Sequence, residues 1–334
     1  MRVEERIWRT TRSDYLRLFC DAARVTQRGC SRRLQRLACD FGLEHSFEKA
    51  TARLHEHHGV RLSKSTTRLI TLKHAANLCE TQLKREPVRT LPAKGAEVII
   101  TETDGTMLPL VRFEDGQGDR CQRRKIHWQE ARLAAAREHG SAQTHYAVSF
   151  GDVAEAGEQW ARATLDARWA APTRIHAIGD AAGWIEAQHR IHFARHGNYT
   201  VDFFHVCEYL AAAAPPGKAG WMETQKERLK TNRYQEVIAE LQARIEPEAT
   251  PEEDAPVRVA HRYLANHTHL MDYQGALAQD LPIGSGMIES GHRHIFQIRL
   301  KQPGAAWLRS TAQAIAHARA ARANNLWDSY WGQN

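Results

Sequence analysis

Ala96-Glu97-Val98-Ile99-Ile100-Thr101-Glu102-Thr103-Asp104-Gly105 is a β-branched run that ends in an acid and a glycine. Such a run reads as a strand. The same form returns at Arg174-Ile175-His176-Ala177-Ile178-Gly179-Asp180, followed by Ala181-Ala182-Gly183. Working outward, Gly105 is expected to turn the chain into a second strand, Met107-Leu108-Pro109-Leu110-Val111. A basic cluster follows at Arg123-Arg124-Lys125, then a strand over 146–150 and a helix over 155–169. Another helix is expected from Gly183 to Arg195, and a fifth strand over Tyr199–Val206. Strands alternating with helices imply an α/β sheet. In such sheets, sites form at the carboxyl ends of strands, where Asp104 and Asp180 stand.

Charge separates this body from what precedes it. Of the 334 residues, the first 95 hold 20 Lys/Arg against 10 Asp/Glu, and the remainder hold 26 against 29. A basic front suggests a polyanion-binding module, with a solvated basic surface as the plainer alternative. Residues 1–44 are expected to be helical. Ser46 can cap a helix carrying Phe47, Ala50 and Leu54 on one side, and Gly59 suits its exit. Ser63 can cap the next helix, which opens Lys64-Ser65-Thr66-Thr67-Arg68. Helix, glycine turn and a basic, hydroxyl-rich helix start fit a helix-turn-helix, with Lys64, Ser65, Thr67 and Arg68 as DNA contacts. The same geometry also occurs in plain helical bundles.

The proline- and glycine-bearing stretch 86–95 reads as a linker. From 213 to 280 the strand signal vanishes and prolines separate helical stretches. Beyond it, Ile283-Gly284-Ser285-Gly286 opens a helix containing Glu289. That helix and the next carry Arg293, Arg299, Lys301, Arg309, Arg319 and Arg322, of which Arg293, Arg299 and Lys301 are expected to hold DNA phosphates. The expected domains are 1–90 (all-α, with the helix-turn-helix), 96–212 (first part of the α/β core), 213–280 (helical insertion) and 281–334 (C-terminal helices of the core).

Composition narrows the classes. The chain is 42% hydrophobic and 25% charged, and it has no apolar run of spanning length. Its first residues contain no apolar signal core, and its 6 cysteines form no C-x-x-C pair. A cytoplasmic protein, free of the membrane, is expected.

Asp104, Asp180 and Glu289 are three oxygen donors of the kind that hard cations take. Two such cations can activate a nucleophile and stabilise a leaving oxygen in phosphodiester chemistry. An aspartate that ends a strand serves as often as a turn former or helix cap. Glu102, Glu130 and Asp152 are rival acids; Glu102 shares a strand face with Asp104. The histidine groups His55/His57/His58 and His189/His192/His196 fit helix ends and helix surfaces better than a metal site. Trp184, Trp307, Trp327 and Trp331 are expected in the core.

Thr103-Asp104-Gly105-Thr106, Ile178-Gly179-Asp180-Ala181-Ala182-Gly183-Trp184, Asp202-Phe203-Phe204-His205 and Ile283-Gly284-Ser285-Gly286-Met287-Ile288-Glu289-Ser290 resemble the DDE transposases of bacterial insertion sequences, specifically the ISKra type. The resemblance extends over nearly the whole chain. It implies an RNase H-like core interrupted by a helical insertion, as in Mutator-like relatives. It places the metal-binding, catalytic acids on Asp104, Asp180 and Glu289, with Mg²⁺ as cofactor and Mn²⁺ as its substitute. It implies cutting at element ends and joining of 3′-hydroxyls to target DNA. Double-stranded DNA would be the partner, a homodimer or larger assembly would form on it, and the bacterial nucleoid would be the setting. Asp202 and His205 resemble a Cys/Asp-x-x-His motif, expected to support the site. The chain departs from the family at Gly304-Ala305-Ala306-Trp307, where paired aromatics are expected, and lacks a cysteine-rich N-terminal segment. The alternatives are a nuclease of the same fold without strand transfer and a non-enzymatic DNA-binding descendant.

Overall fold

The computed structural model of the chain describes residues 8–9, 15–22, 25–26, 29–117, 119 and 121–332. They divide into two units, one holding 1–85, 108–129 and 294–334, the other 86–107 and 130–293. The first unit opens with small pieces: β1 (Trp8–Arg9) paired antiparallel with β2 (Tyr15–Leu16), α1 (Leu18–Ala22), and β3 (Val25–Thr26) paired antiparallel with β4 (Cys30–Ser31). The helix expected over 1–44 is therefore corrected to two helices, because Val25-Thr26 favours extension and Gly29, at φ 79°, takes a left-handed turn that helix cannot hold. Residues 1–7, 10–14, 23–24 and 27–28 of that expectation lie outside the described residues.

Three capped helices follow: α2 (Arg32–Glu44), α3 (Phe47–His58) and α4 (Lys64–Leu83). Ser46 Oγ accepts from Lys49 N, Gly59 closes α3 at φ 66°, and Ser63 Oγ accepts from Thr66 N. These are the caps expected from sequence, since a cap needs only its own few residues.

The sheet is ordered β7-β6-β5-β8-β9, from β5 (Val98–Phe113), β6 (Arg124–Glu138), β7 (His145–Ser149), β8 (Arg174–Gly179) and β9 (Gly197–Val201); the second unit holds β5 as far as Met107, β6 from Glu130, and all of β7, β8 and β9. β5, β8 and β9 run parallel, and β6 and β7 pair antiparallel. Helices α5 (Val153–Asp166), α6 (Gly183–His192) and α7 (Phe203–Ala212) interleave with the strands. The residues 213–280 are helical, with α8 (Trp221–Lys230), α9 (Tyr234–Gln242), α10 (Pro256–His267) and α11 (Tyr273–Leu277), before α12 (Gly286–His292). Ile99, Ile100, Trp160, Ile175, Ile178, Phe193, Val201 and Leu210 fill the core around the sheet.

Three expectations about this sheet are corrected. β5 does not turn at Gly105; it runs on to Phe113. The glycine is there because a Cβ at that point would strike the Glu130 carboxylate. β6 is a strand that the sequence does not announce: its buried run Ala131, Leu133, Ala134, Ala135 and Ala136 is mostly alanine, which carries little strand preference of its own. The fifth strand ends at Val201 rather than Val206, because Asp202 caps a helix there.

A π-helical turn over Arg293–Gln297 leads back to the first unit. There α13 (Ile298–Leu300) precedes β10 (Trp307–Leu308), which pairs parallel with Leu110 and Val111 of β5, then α14 (Arg309–Ala323) and α15 (Trp327–Gly332). The expectation that 281–334 completes the α/β core is corrected for 294–334, which pack with the N-terminal helices. α14 packs against α4, and Ala312, Ile315, Ala316, Ala318 and Ala320 are among its buried residues. Among the described residues, no helix is long and apolar enough to cross a membrane.

Candidate functional site

Register places the acids. Glu102 pairs with Ile178 and Gly179 with Val201. Carried on by two residues and by one, the same register sets Asp104, inside β5, beside Asp180, and Asp180 beside Asp202, the last two directly after the ends of β8 and β9. α12 brings Glu289 to the same place. Asp104, Asp180, Asp202, His205, Glu208 and Glu289 line one cavity of about 220 Å³ within the second unit.

Each acid is held differently. Asp104 is half-exposed, with Oδ1 accepting from Gly105 N at 2.6 Å and Oδ2 3.3 Å from His292 Nε2. Asp180 Oδ1 accepts from Ala182 N at 2.9 Å, and its carbonyl accepts from Tyr263 Oη–H at 2.8 Å. Ala181 follows at φ 63°, an uncommon conformation for a residue with a Cβ, and its N–H donates to Tyr199 Oη at 2.9 Å. Glu289 lies exposed in the first turn of α12.

Asp202 is only 4% exposed and uses both oxygens in structure. Oδ1 accepts from Phe204 N at 2.6 Å and His205 N at 3.3 Å, capping α7. Oδ2 accepts from Ser285 N at 2.9 Å and from the Ser285 hydroxyl. One carboxylate thus fastens the start of α7 to the loop that carries Glu289. His205 lies edge-on to Tyr209 and Tyr263, with Nδ1 3.5 Å from Glu208.

Two further residues dock α12. Glu102 is buried, and Oε2 accepts from Ile288 N at 2.6 Å. Burial pushes its carboxyl up to about 8; the Ile288 hydrogen bond opposes this, and the charges of Asp202 and Glu289 add to it. His292, 5% exposed, faces Asp104 from one helical turn past Glu289. Sequence reasoning assigns a role to neither His292 nor Ser285, although Glu289-x-x-His292 is spacing that puts both on one helix face.

The expected DNA contacts separate. Lys64, Ser65, Arg68 and Arg293 are exposed, Lys64 3.6 Å from Glu48, and Lys301 is half-buried. Thr67 is corrected: at 0% exposure it shares the buried face of α4 with Ile70, Thr71 and His74. Arg299 is corrected too. At 2% exposure it lies between the Phe47 and Trp307 rings, at 4.7 and 4.6 Å, and Nε donates to Gly42 O. Burial and the neighbouring Arg319 cation pull its guanidinium down to about 10. Arg319 is likewise buried, donating to the His294 and Ile295 carbonyls. Trp327 and Trp331 are core residues, while Trp184 and Trp307 are half-buried.

The cavity offers carboxylate oxygens, the donor type that Mg²⁺ and Mn²⁺ take, from Asp104, Asp180 and Glu289. Among the described residues, no three His, Cys, Asp or Glu side chains are grouped closely enough to hold an ion as they stand.

Comparison with known proteins gives one family. The chain belongs to the uncharacterised protein family UPF0236, whose profile matches residues 10–330. No curated protein matches it.

Proposed function

We propose that the chain is a DDE transposase of the ISKra type, cutting insertion-sequence ends and joining the freed 3′-hydroxyls to target DNA. The observation that carries this is the convergence of Asp104, Asp180 and Glu289, from the neighbouring parallel strands β5 and β8 and from α12, on one cavity. The sheet order with parallel β5, β8 and β9 fits an RNase H-like core, and 213–280 fits its helical insertion. Capped α3 and α4, with Lys64, Ser65 and Arg68 exposed, fit a helix-turn-helix for double-stranded DNA. Assembly as a homodimer or larger on DNA, in the bacterial nucleoid, follows from the same proposal.

Asp104, Asp180 and Glu289 would hold Mg²⁺, or Mn²⁺ in its place. The bound cations would supply charge neutralisation and a water of lowered pKa for in-line phosphoryl transfer. The chain's own part is positioning. His292 holds Asp104 from one side, and Tyr263 and Tyr199 hold the Asp180 turn. Asp202 holds the Glu289 loop against α7, and Glu102 anchors the α12 backbone.

The test is incubation of the full chain with DNA carrying the flanks of its own gene and Mg²⁺ or Mn²⁺, followed by mapping of cut strands. Cuts at the element ends that vanish in Asp104→Asn, followed by joining to a second duplex, are expected. Cutting without joining would leave a nuclease. Retained cutting by Asp104→Asn would remove Asp104 from the site.

A further inference from the structure

Phe204 is a large apolar side chain left 62% exposed, while its neighbour Phe203 is buried. It lines the same cavity as Asp104, Asp180 and Glu289. Its position is built rather than incidental. Its backbone N–H is fixed by Asp202 Oδ1 at 2.6 Å. Its ring lies against Gly284, where a Cβ would come within 2.5 and 2.6 Å of two ring carbons. Its other neighbour is the Phe203 ring, edge-on at 5.5 Å. Beside Phe203 stands the Lys230 ammonium, 5.6 Å from that ring.

An exposed ring beside carboxylates is a poor seat for an apolar protein anchor, because docking one would desolvate the charges around it. A nucleotide matches both features. Its base offers a π face, and its own phosphate suits the carboxylate-held cations.

We propose that Phe204 is the stacking platform for an unpaired base next to the scissile phosphate. The inference rests on the transposase reading of the cavity and adds the form of its substrate: the DNA is locally unpaired at the cut. Clamped by Asp202 and Gly284, the ring loses little freedom on binding, so stacking is not offset by ordering. Base–aromatic stacking of about 1–3 kcal/mol corresponds to roughly 5- to 150-fold in affinity.

The experiment uses the full chain and a DNA fork whose single-stranded flap carries 5-iodouracil at the junction. Irradiation is expected to cross-link the flap to Phe204, as mapped by mass spectrometry. Phe204→Leu should bind the fork about tenfold more weakly, within the range expected for one stacked base, with affinity for a blunt duplex of the same length unchanged. Phe204→Trp should restore fork binding. Gly284→Ala should lower the cross-link yield by displacing the ring. A cross-link mapped elsewhere, or equal fork affinity for Phe204→Leu, overturns the platform while Mg²⁺-dependent cutting by the unmodified chain leaves the transposase reading standing. No binding to either DNA, and no cutting, overturns both.

Discussion

Asp202→Ala should cost the second unit about 3 kcal/mol of stability, from two losses. Removing the cap of α7, where Oδ1 accepts from Phe204 N and His205 N, costs about 1 kcal/mol. Removing Oδ2 leaves the Ser285 N–H without its acceptor at a buried position, which costs about 1–3 kcal/mol. The methyl group cannot substitute for either oxygen. For a folded body of this size, about 3 kcal/mol lowers the melting temperature by roughly 6–12 °C. Asp202→Asn keeps one acceptor for the cap and should lose about half as much. Urea unfolding followed by far-ultraviolet circular dichroism reads the free energy, and calorimetry reads the midpoint. The contrast is with Asp104→Asn, whose half-exposed carboxylate carries no comparable network and should shift stability by less than about 0.5 kcal/mol. If Asp202→Ala unfolds like the unmodified chain but loses Mg²⁺-dependent cutting, Asp202 is a ligand and its clamp role is refuted.

Asp104→Asn, Asp180→Asn and Glu289→Gln should each abolish Mg²⁺-dependent cutting, and the double variants should be no worse than the singles, as strand mapping will show. Gly105→Ala should cost up to about 1 kcal/mol in urea, because the Glu130 carboxylate swings away from the new Cβ and gives up the Glu130–Arg132 ion pair. Replacing Lys64 and Arg68 together by alanine should weaken duplex binding and flatten the plot of log affinity against log salt, by about 0.9 for each phosphate no longer neutralised. Burial lowers His74 and His189 to about 4, with the Arg32 and Lys73 charges helping at His74. Unfolded imidazoles titrate near 6.5, so the unfolded chain takes up protons first as pH falls from about 6.5 to 4, and stability falls with it. The slope should reach at most about 1.4 kcal/mol per pH unit for each ring, and His74→Gln should lessen it in pH-dependent urea melts.

What can be read without the fold is whatever the chain states locally. Ser46, Gly59 and Ser63 mark helix ends because a cap is made by residues close in sequence. The β-branched runs before Asp104 and Asp180 form strands because branching at Cβ favours extension wherever the run lies. Their shared acid endings, and the glycine loop before Glu289, are enough to nominate three residues that the fold then sets around one cavity.

The rest depends on partners distant in sequence. Thr67 and Arg299 look like surface contacts in a basic helix, but only packing decides which face of a helix is covered, and both are covered. Arg319 and α14 belong with the N-terminal helices because α14 packs against α4 and Arg319 pairs with Glu44 of α2, contacts between segments far apart along the chain. Gly105 serves Glu130 on the neighbouring strand, not a turn. Asp202 follows β9 directly, as Asp180 follows β8, although the sequence reads as one strand through to Val206. Burial and the Ser285 donors, brought 83 positions along the chain, engage both oxygens of Asp202, whereas Asp104 keeps its carboxylate half-exposed to the cavity. Local conformation follows from each residue's own backbone and side-chain preferences; whether a carboxylate is a clamp or a free donor depends on the groups that tertiary folding sets beside it.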